Sequence, residues 1–130
     1  MALNVLVVDD SAVVRTMISR TLRLSGLPLG EIYECANGQE GLEALERNWI
    51  DLVLVDINMP VMNGEEMIQK LRANPAMADL PVIVVSTEGS QTRIERLQAQ
   101  GARFVHKPFT PEMVRQIVTE VTRVEHEQAK

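Results

Sequence analysis

Aromatic residues are scarce in this chain, which holds one Trp, one Tyr and two Phe. Four rings cannot build a base-stacking platform, and the 13 Lys and Arg are scattered rather than gathered into a basic stripe. Direct nucleic-acid binding is therefore not expected. Cysteine is confined to Cys35, which excludes an internal disulfide and reads as a core thiol. No apolar run approaches the roughly 20 residues that span a bilayer, so membrane insertion is not expected either. Met1 to Asp9 carries no basic stretch and leads straight into acidic residues, unlike a signal peptide. The expected compartment is the cytoplasm. Low-complexity tracts, internal repeats and linkers are also lacking.

What is present is an ordinary globular composition, 45% hydrophobic and 24% charged, with a formal net charge of −5. A chain of 130 residues suits one domain burying about two thirds of its unfolded surface. Short β-rich runs alternate with longer stretches of helical period. Val5 to Val8 predicts a first strand, followed by a helix lined by Val14, Met17, Ile18, Thr21 and Leu22, capped by Ser11 and stopped at Gly26. Strands are then expected at Ile32 to Ala36, Leu52 to Val55, Val82 to Val85 and Arg103 to His106. Helices are expected at Gln39 to Arg47, around Met67, Ile68 and Leu71, and around Ile94 and Leu97 up to Gly101. A last helix opens at Pro111 and is lined by Val114, Ile117, Val118, Val121 and Val124.

Five β-α pairs imply a parallel sheet covered by helices on both faces, a three-layer α/β sandwich. Strands 1, 3 and 4 are continuous aliphatic runs, as central strands should be, whereas strands 2 and 5 are shorter and more polar. The expected strand order is 2-1-3-4-5.

In open sheets of this kind, sites form beyond the carboxyl ends of the strands. Strand 1 ends in Asp9-Asp10, strand 3 in Asp56, strand 4 in Ser86-Thr87-Glu88 and strand 5 in His106-Lys107-Pro108. Taken singly, these read as helix caps, a turn residue, the start of a loop and a solvated lysine. Asp56 is followed by Pro60 and an Asn63-Gly64 turn, which would hold the next loop away from it. Together the strand ends put three carboxylates in one pocket, where mutual repulsion calls for a cation. Oxygen donors alone suit Mg²⁺ better than zinc. With Lys107 and the Ser86 hydroxyl, the set describes a seat for a phosphoryl group, and Asp56 is the best-placed nucleophile.

Asp9-Asp10, Asp56 with Met59-Pro60 and Gly64, Ser86, and Lys107-Pro108-Phe109 together resemble the receiver domain of bacterial two-component response regulators, of the stand-alone CheY-like type. The resemblance runs from about Leu3 to Val124. It implies the flavodoxin-like (βα)5 fold and a phosphoacceptor switch. Asp56 would take a phosphoryl group from a phosphohistidine on a histidine kinase or phosphotransfer domain. Asp10, Asp56 and the backbone carbonyl of Asn58 would bind Mg²⁺ (or Mn²⁺) directly, with Asp9 acting through water. Lys107 would pair with Asp56 or its phosphoryl oxygen, Ser86 would swing onto the phosphoryl group, and Phe104 would turn inward behind it. A cis Lys107-Pro108 bond is implied as well.

The same resemblance implies a monomer whose face built from helix 4, strand 5 and helix 5 docks a downstream protein. The protein would be no enzyme beyond catalysing its own phosphorylation and dephosphorylation. Ser86 stands where Thr is commoner, and Phe104 where Tyr is frequent. Thr87 is bulkier than the usual Ala or Gly. Asn58 and Glu88 match positions that influence dephosphorylation, so a short-lived phosphoryl state is expected. The receiver would span residues 1–125, leaving 126–130 as a short tail with no output domain. His106 and His126 carry no assigned role.

Other readings stand beside this one. A phosphorelay intermediate, or a receiver cut from a longer transcriptional regulator, would share the sequence pattern. A flavodoxin-like cofactor binder would need a phosphate-cradling loop after strand 1, where Asp9-Asp10-Ser11 instead repels phosphate. A small phosphatase would want its two aspartates two residues apart on that strand. Neither the cognate kinase, the target nor the pathway, chemotaxis or another, is legible in the chain.

Overall fold

The aliphatic runs become the centre of a five-stranded parallel sheet. A computed structural model describes residues 2–86, 90–107 and 110–122. The elements run β1 (Leu3–Val8), α1 (Ala12–Leu24), β2 (Leu29–Cys35), α2 (Gly38–Arg47), β3 (Leu52–Val55), α3 (Gly64–Ala73), β4 (Val82–Ser86), α4 (Gln91–Ala99), β5 (Arg103–His106) and α5 (Pro111–Thr122). A short 3₁₀ turn, Pro75–Met77, precedes β4. The sheet order is β2-β1-β3-β4-β5, as the hydrophobic grading of the strands predicts.

Because side chains alternate along a strand, each central strand feeds two cores. Leu6, Val8, Val53, Val55 and Val84 meet Met67, Ile68, Leu71 and Leu97 of α3 and α4 on one face. Val5, Val7, Leu52, Leu54, Ile83 and Val85 meet Ile18, Leu22, Val114 and Val118 of α1 and α5 on the other. Full burial of each such side chain stabilises by about 1.5–3 kcal/mol, which makes the sheet a rigid mount.

Helix starts are set by side-chain caps. Ser11, Asn37, Asn63 and Ser90 each accept a backbone N–H from the first turn of α1, α2, α3 and α4. Gly26 and Gly101, at φ +82° and +83°, follow the ends of α1 and α4 in the left-handed conformation that glycine tolerates. The guanidinium of Arg72 on α3 donates to the carbonyls of Gln100, Met77, Ala78 and Leu80, tying together the chain segments that enter β4 and β5. Trp49, just before β3, is 77% exposed, and its indole N–H donates to Asp51 at 2.9 Å.

Several expectations are corrected. The strand expected at Ile32 to Ala36 begins at Leu29 and ends at Cys35, because Leu29 pairs with Leu3 across an irregularity in β1. Asn63-Gly64 is no turn: Asn63 forms a capping box with Glu66, and Gly64 is the first residue of α3. Met17 does not line the core but is 60% exposed, since the buried stripe of α1 is narrowed to Ile18 and Leu22. Thr87, Glu88, Pro108, Phe109, Val124 and His126 lie outside the described residues, as does the implied cis bond.

Candidate phosphoacceptor site

Sheet hydrogen bonds continue one residue past β1, β3 and β5 and fix the backbone of the site. Asp9 N–H donates to Cys35 O on β2 at 3.1 Å, Asp56 N–H to Val8 O on β1 at 2.9 Å, and Lys107 N–H to Ser86 O on β4 at 3.0 Å. Asp9, Asp56 and Lys107 therefore stand on one rim, held by a scaffold whose central strands β1, β3 and β4 are buried. Carboxylate oxygens of Asp9, Asp10 and Asp56 all lie within 4.8 Å of one another.

Burial grades the three acids. Asp9 is 1% exposed, the Asp56 side chain is 12% exposed and Asp10 is exposed. Asp9 Oδ1 accepts the Ser11 N–H at 2.9 Å, and Arg15 on α1 donates to the Asp9 carbonyl at 2.6 Å while pairing with Glu34 at 3.3 Å. Lys107 Nζ completes the set, 3.1 Å from Asp9 Oδ2 and 3.8 Å from Asp56 Oδ2. The expected partner Asp56 is thus within ion-pair range, but the shorter contact is to Asp9.

Asp56 accepts hydrogen bonds from the Ile57 N–H at 2.8 Å and from the Ser86 side chain, itself 1% exposed. Its acidity is nonetheless weakened. Burial pushes the carboxyl above the ordinary Asp value, and Asp9 adds to the rise; Lys107 and the two hydrogen bonds oppose it without prevailing. The ionised pocket is short of positive charge.

The loop after Asp56 folds back closely. Gly64 N–H donates to Ile57 O at 2.8 Å, and a Cβ at Gly64 would meet the carbonyl oxygen of Asp56. Val61 supplies the tight bend at φ +68°. Asn58 is exposed on this loop, where its Oδ1 accepts from Arg93 Nη1 at 3.3 Å. Phe104 is half-buried against the core beneath α3 and α4, and meets the His106 ring edge-on at 4.7 Å.

All the expected site residues within the described segments lie on this rim or the elements bordering it. Sequence reasoning missed Arg15 and Arg93, whose partners are fixed only by the tertiary fold. The donor set fits a hard divalent cation of the Mg²⁺ type, since the cluster offers carboxylate oxygens only.

Residues 5–119 match the family described as "Response regulator receiver domain". The chain is 36% identical to a protein named "Chemotaxis protein CheY homolog" from Campylobacter jejuni, over 92% of each. It is 37% identical to "Chemotaxis protein CheY1" of Helicobacter pylori, over 88% of this chain and 92% of that protein. The fold superimposes on the solved structure of Vibrio cholerae chemotaxis protein CheY4 with a TM-score of 0.82 at 33% identity, covering 93% and 99% of the two chains.

Proposed function

Because the chain belongs to the response regulator receiver domain family, we propose that it is a phosphoacceptor switch in which Asp56 carries the phosphoryl group. Receiver domains interact with histidine kinases and downstream targets, and generally bind Mg²⁺ through an acidic pocket. The observation that carries the assignment is the convergence of Asp9, Asp10, Asp56 and Lys107 beyond the strand ends, with Asp56 directly after the central strand β3.

In the transfer, an Asp56 carboxylate oxygen attacks the phosphorus of a phosphohistidine. The new O–P bond forms as the P–N bond breaks, and the electron pair leaves with the imidazole. Lys107 follows the charge, moving its ammonium from the carboxylates onto a phosphoryl oxygen. Ser86 donates its hydroxyl hydrogen to another oxygen. Asp10, Asp56 and the carbonyl of Asn58 would hold Mg²⁺ directly, and Asp9 through water. When bound, the ion supplies positive charge that keeps Asp56 ionised and screens the incoming phosphate from the acids.

Drawing Ser86 toward the phosphoryl group vacates space on the β4–β5 side of the sheet, and Phe104 turns into it. The α4–β5–α5 face then changes its affinity for a downstream protein. The protein works as a cytoplasmic monomer and catalyses only its own phosphorylation and dephosphorylation. Incubation with a small phosphodonor and Mg²⁺, followed by intact-mass measurement, tests the assignment. Wild type should gain one phosphoryl group. No gain, or a gain retained by Asp56→Asn, overturns it.

A further inference from the structure

Asn58 follows Asp56 by two residues, which limits the separation of their Cα atoms to about 7 Å. Its carboxamide oxygen is held from α4 by Arg93, whose Nη1 donates at 3.3 Å. The same guanidinium is steadied on its other side, with Nε 3.6 Å from Glu65 Oε1 in the first turn of α3. Arg96, three residues on, grips both Glu65 oxygens at 2.9 and 3.3 Å. These two arginines hold the Glu65 carboxyl below its ordinary range, Arg96 foremost, so it stays ionised near neutral pH. One always-charged guanidinium therefore ties the first turns of α3 and α4 to the loop beside the phosphoacceptor.

We propose that Arg93 is a positioning residue which, acting through Asn58, slows the loss of the phosphoryl group from Asp56. This rests on the phosphoacceptor reading above. In hydrolysis a water oxygen bonds to phosphorus while the bond from phosphorus to the Asp56 oxygen breaks. The electron pair returns to the carboxylate, and the water's proton ends on the released phosphate. Such a water is aligned by a neighbouring group that accepts one of its hydrogens. Asn58 Oδ1 is an acceptor of this kind, on a residue two positions after the phosphoacceptor. A charged donor on that oxygen turns it toward α4 and draws off its electron density. Without Arg93 the carboxamide is free to rotate and hold the water.

The test compares wild type, Arg93→Met and Arg93→Lys, each with Asn58 intact and in an Asn58→Ala background. Each protein is phosphorylated with a small phosphodonor and Mg²⁺, freed of donor, and followed by intact mass as the phosphoryl group is lost. Thermal melts confirm that each variant is folded. With Asn58 intact, Arg93→Met should lose the group about fivefold faster, the rate equivalent of one ordinary hydrogen bond. Arg93→Lys, which keeps a charged donor, should restore most of the lifetime. In the Asn58→Ala background, Arg93→Met should change nothing. An unchanged or slower decay in Arg93→Met, or the same acceleration without Asn58, overturns the proposal. Wild type that takes up no phosphoryl group overturns the phosphoacceptor reading as well, whereas uptake followed by decay independent of Arg93 overturns this inference alone.

Discussion

Lys107 stands closer to Asp9 than to Asp56, at 3.1 against 3.8 Å. Asp9 is the most buried of the three acids, so its charge gains most from a nearby cation. The lysine is therefore first a counter-ion of the acidic cluster.

Replacing that lysine exposes the cluster's self-repulsion. Lys107→Ala should lower metal-free stability by on the order of 1–2 kcal/mol, allowing for its partial exposure. It should also bind Mg²⁺ more tightly than wild type, because the competing cation is gone. Urea unfolding in EDTA and in Mg²⁺ reads both effects. Equal stabilisation of the two proteins by Mg²⁺ would contradict the counter-ion role.

Asp56 makes the pocket sensitive to pH in a defined direction. Burial raises its carboxyl in the folded protein, so the folded state binds the proton more tightly than the unfolded chain. The resulting stability is complete below the ordinary Asp value and is lost as pH rises through the raised folded value. At neutral pH the ionised carboxylate is a burden. Asp56→Asn should then melt about 4 °C higher than metal-free wild type at pH 7, equivalent to roughly 1 kcal/mol. The advantage should shrink as pH falls toward the ordinary Asp range. Calorimetric melts in EDTA across that range decide it, and an advantage that grows on acidification would refute the sign.

Gly64 tests how tightly the loop must close on Asp56. A methyl group there meets the Asp56 carbonyl oxygen, which is backbone in the middle of the site and cannot swing aside. Gly64→Ala should cost about 2–3 kcal/mol and displace the Asp56 backbone, slowing phosphoryl uptake at the same time. Urea unfolding and the mass assay read these together. A variant with wild-type stability would show that the α3 entry is softer than its packing indicates.

The sequence was most legible where one physical term dominates. The bounds of β3 and β5 are as expected because burial on both faces of β3, and the breaks that flank β5, leave no other register. Asp9, Asp56 and Lys107 were legible for a related reason, since each lies one step past a strand end, whereas Ser86 closes β4 and Phe104 lies within β5. β2 was misjudged at its start because Leu29 and Gly30 carry weak strand signals and are recruited by pairing with β1. Asn63-Gly64 satisfies turn chemistry and cap chemistry alike, and only Glu66 closing the capping box separates them. Met17 fits the helical period, yet α1 is covered over a narrower stripe than its apolar residues could fill. Arg93, Arg15 and Arg72 gave no local signal: the partners of Arg93 and Arg72 across the fold are 35 and 28 residues away in sequence.

Trp49 gives the molecule an optical property. It is the sole tryptophan, and its indole is pinned to Asp51 ahead of β3, while Asp56 follows that strand. The length of β3, roughly 13 Å, separates the fluorophore from Asp56. Its emission will follow unfolding of the sheet's amino-terminal pole and stay nearly silent when Mg²⁺ or a phosphoryl group arrives. A fluorescence titration of the acidic pocket therefore needs a second indole placed near the rim, and a flat signal from the native chain is the expected behaviour of an active protein.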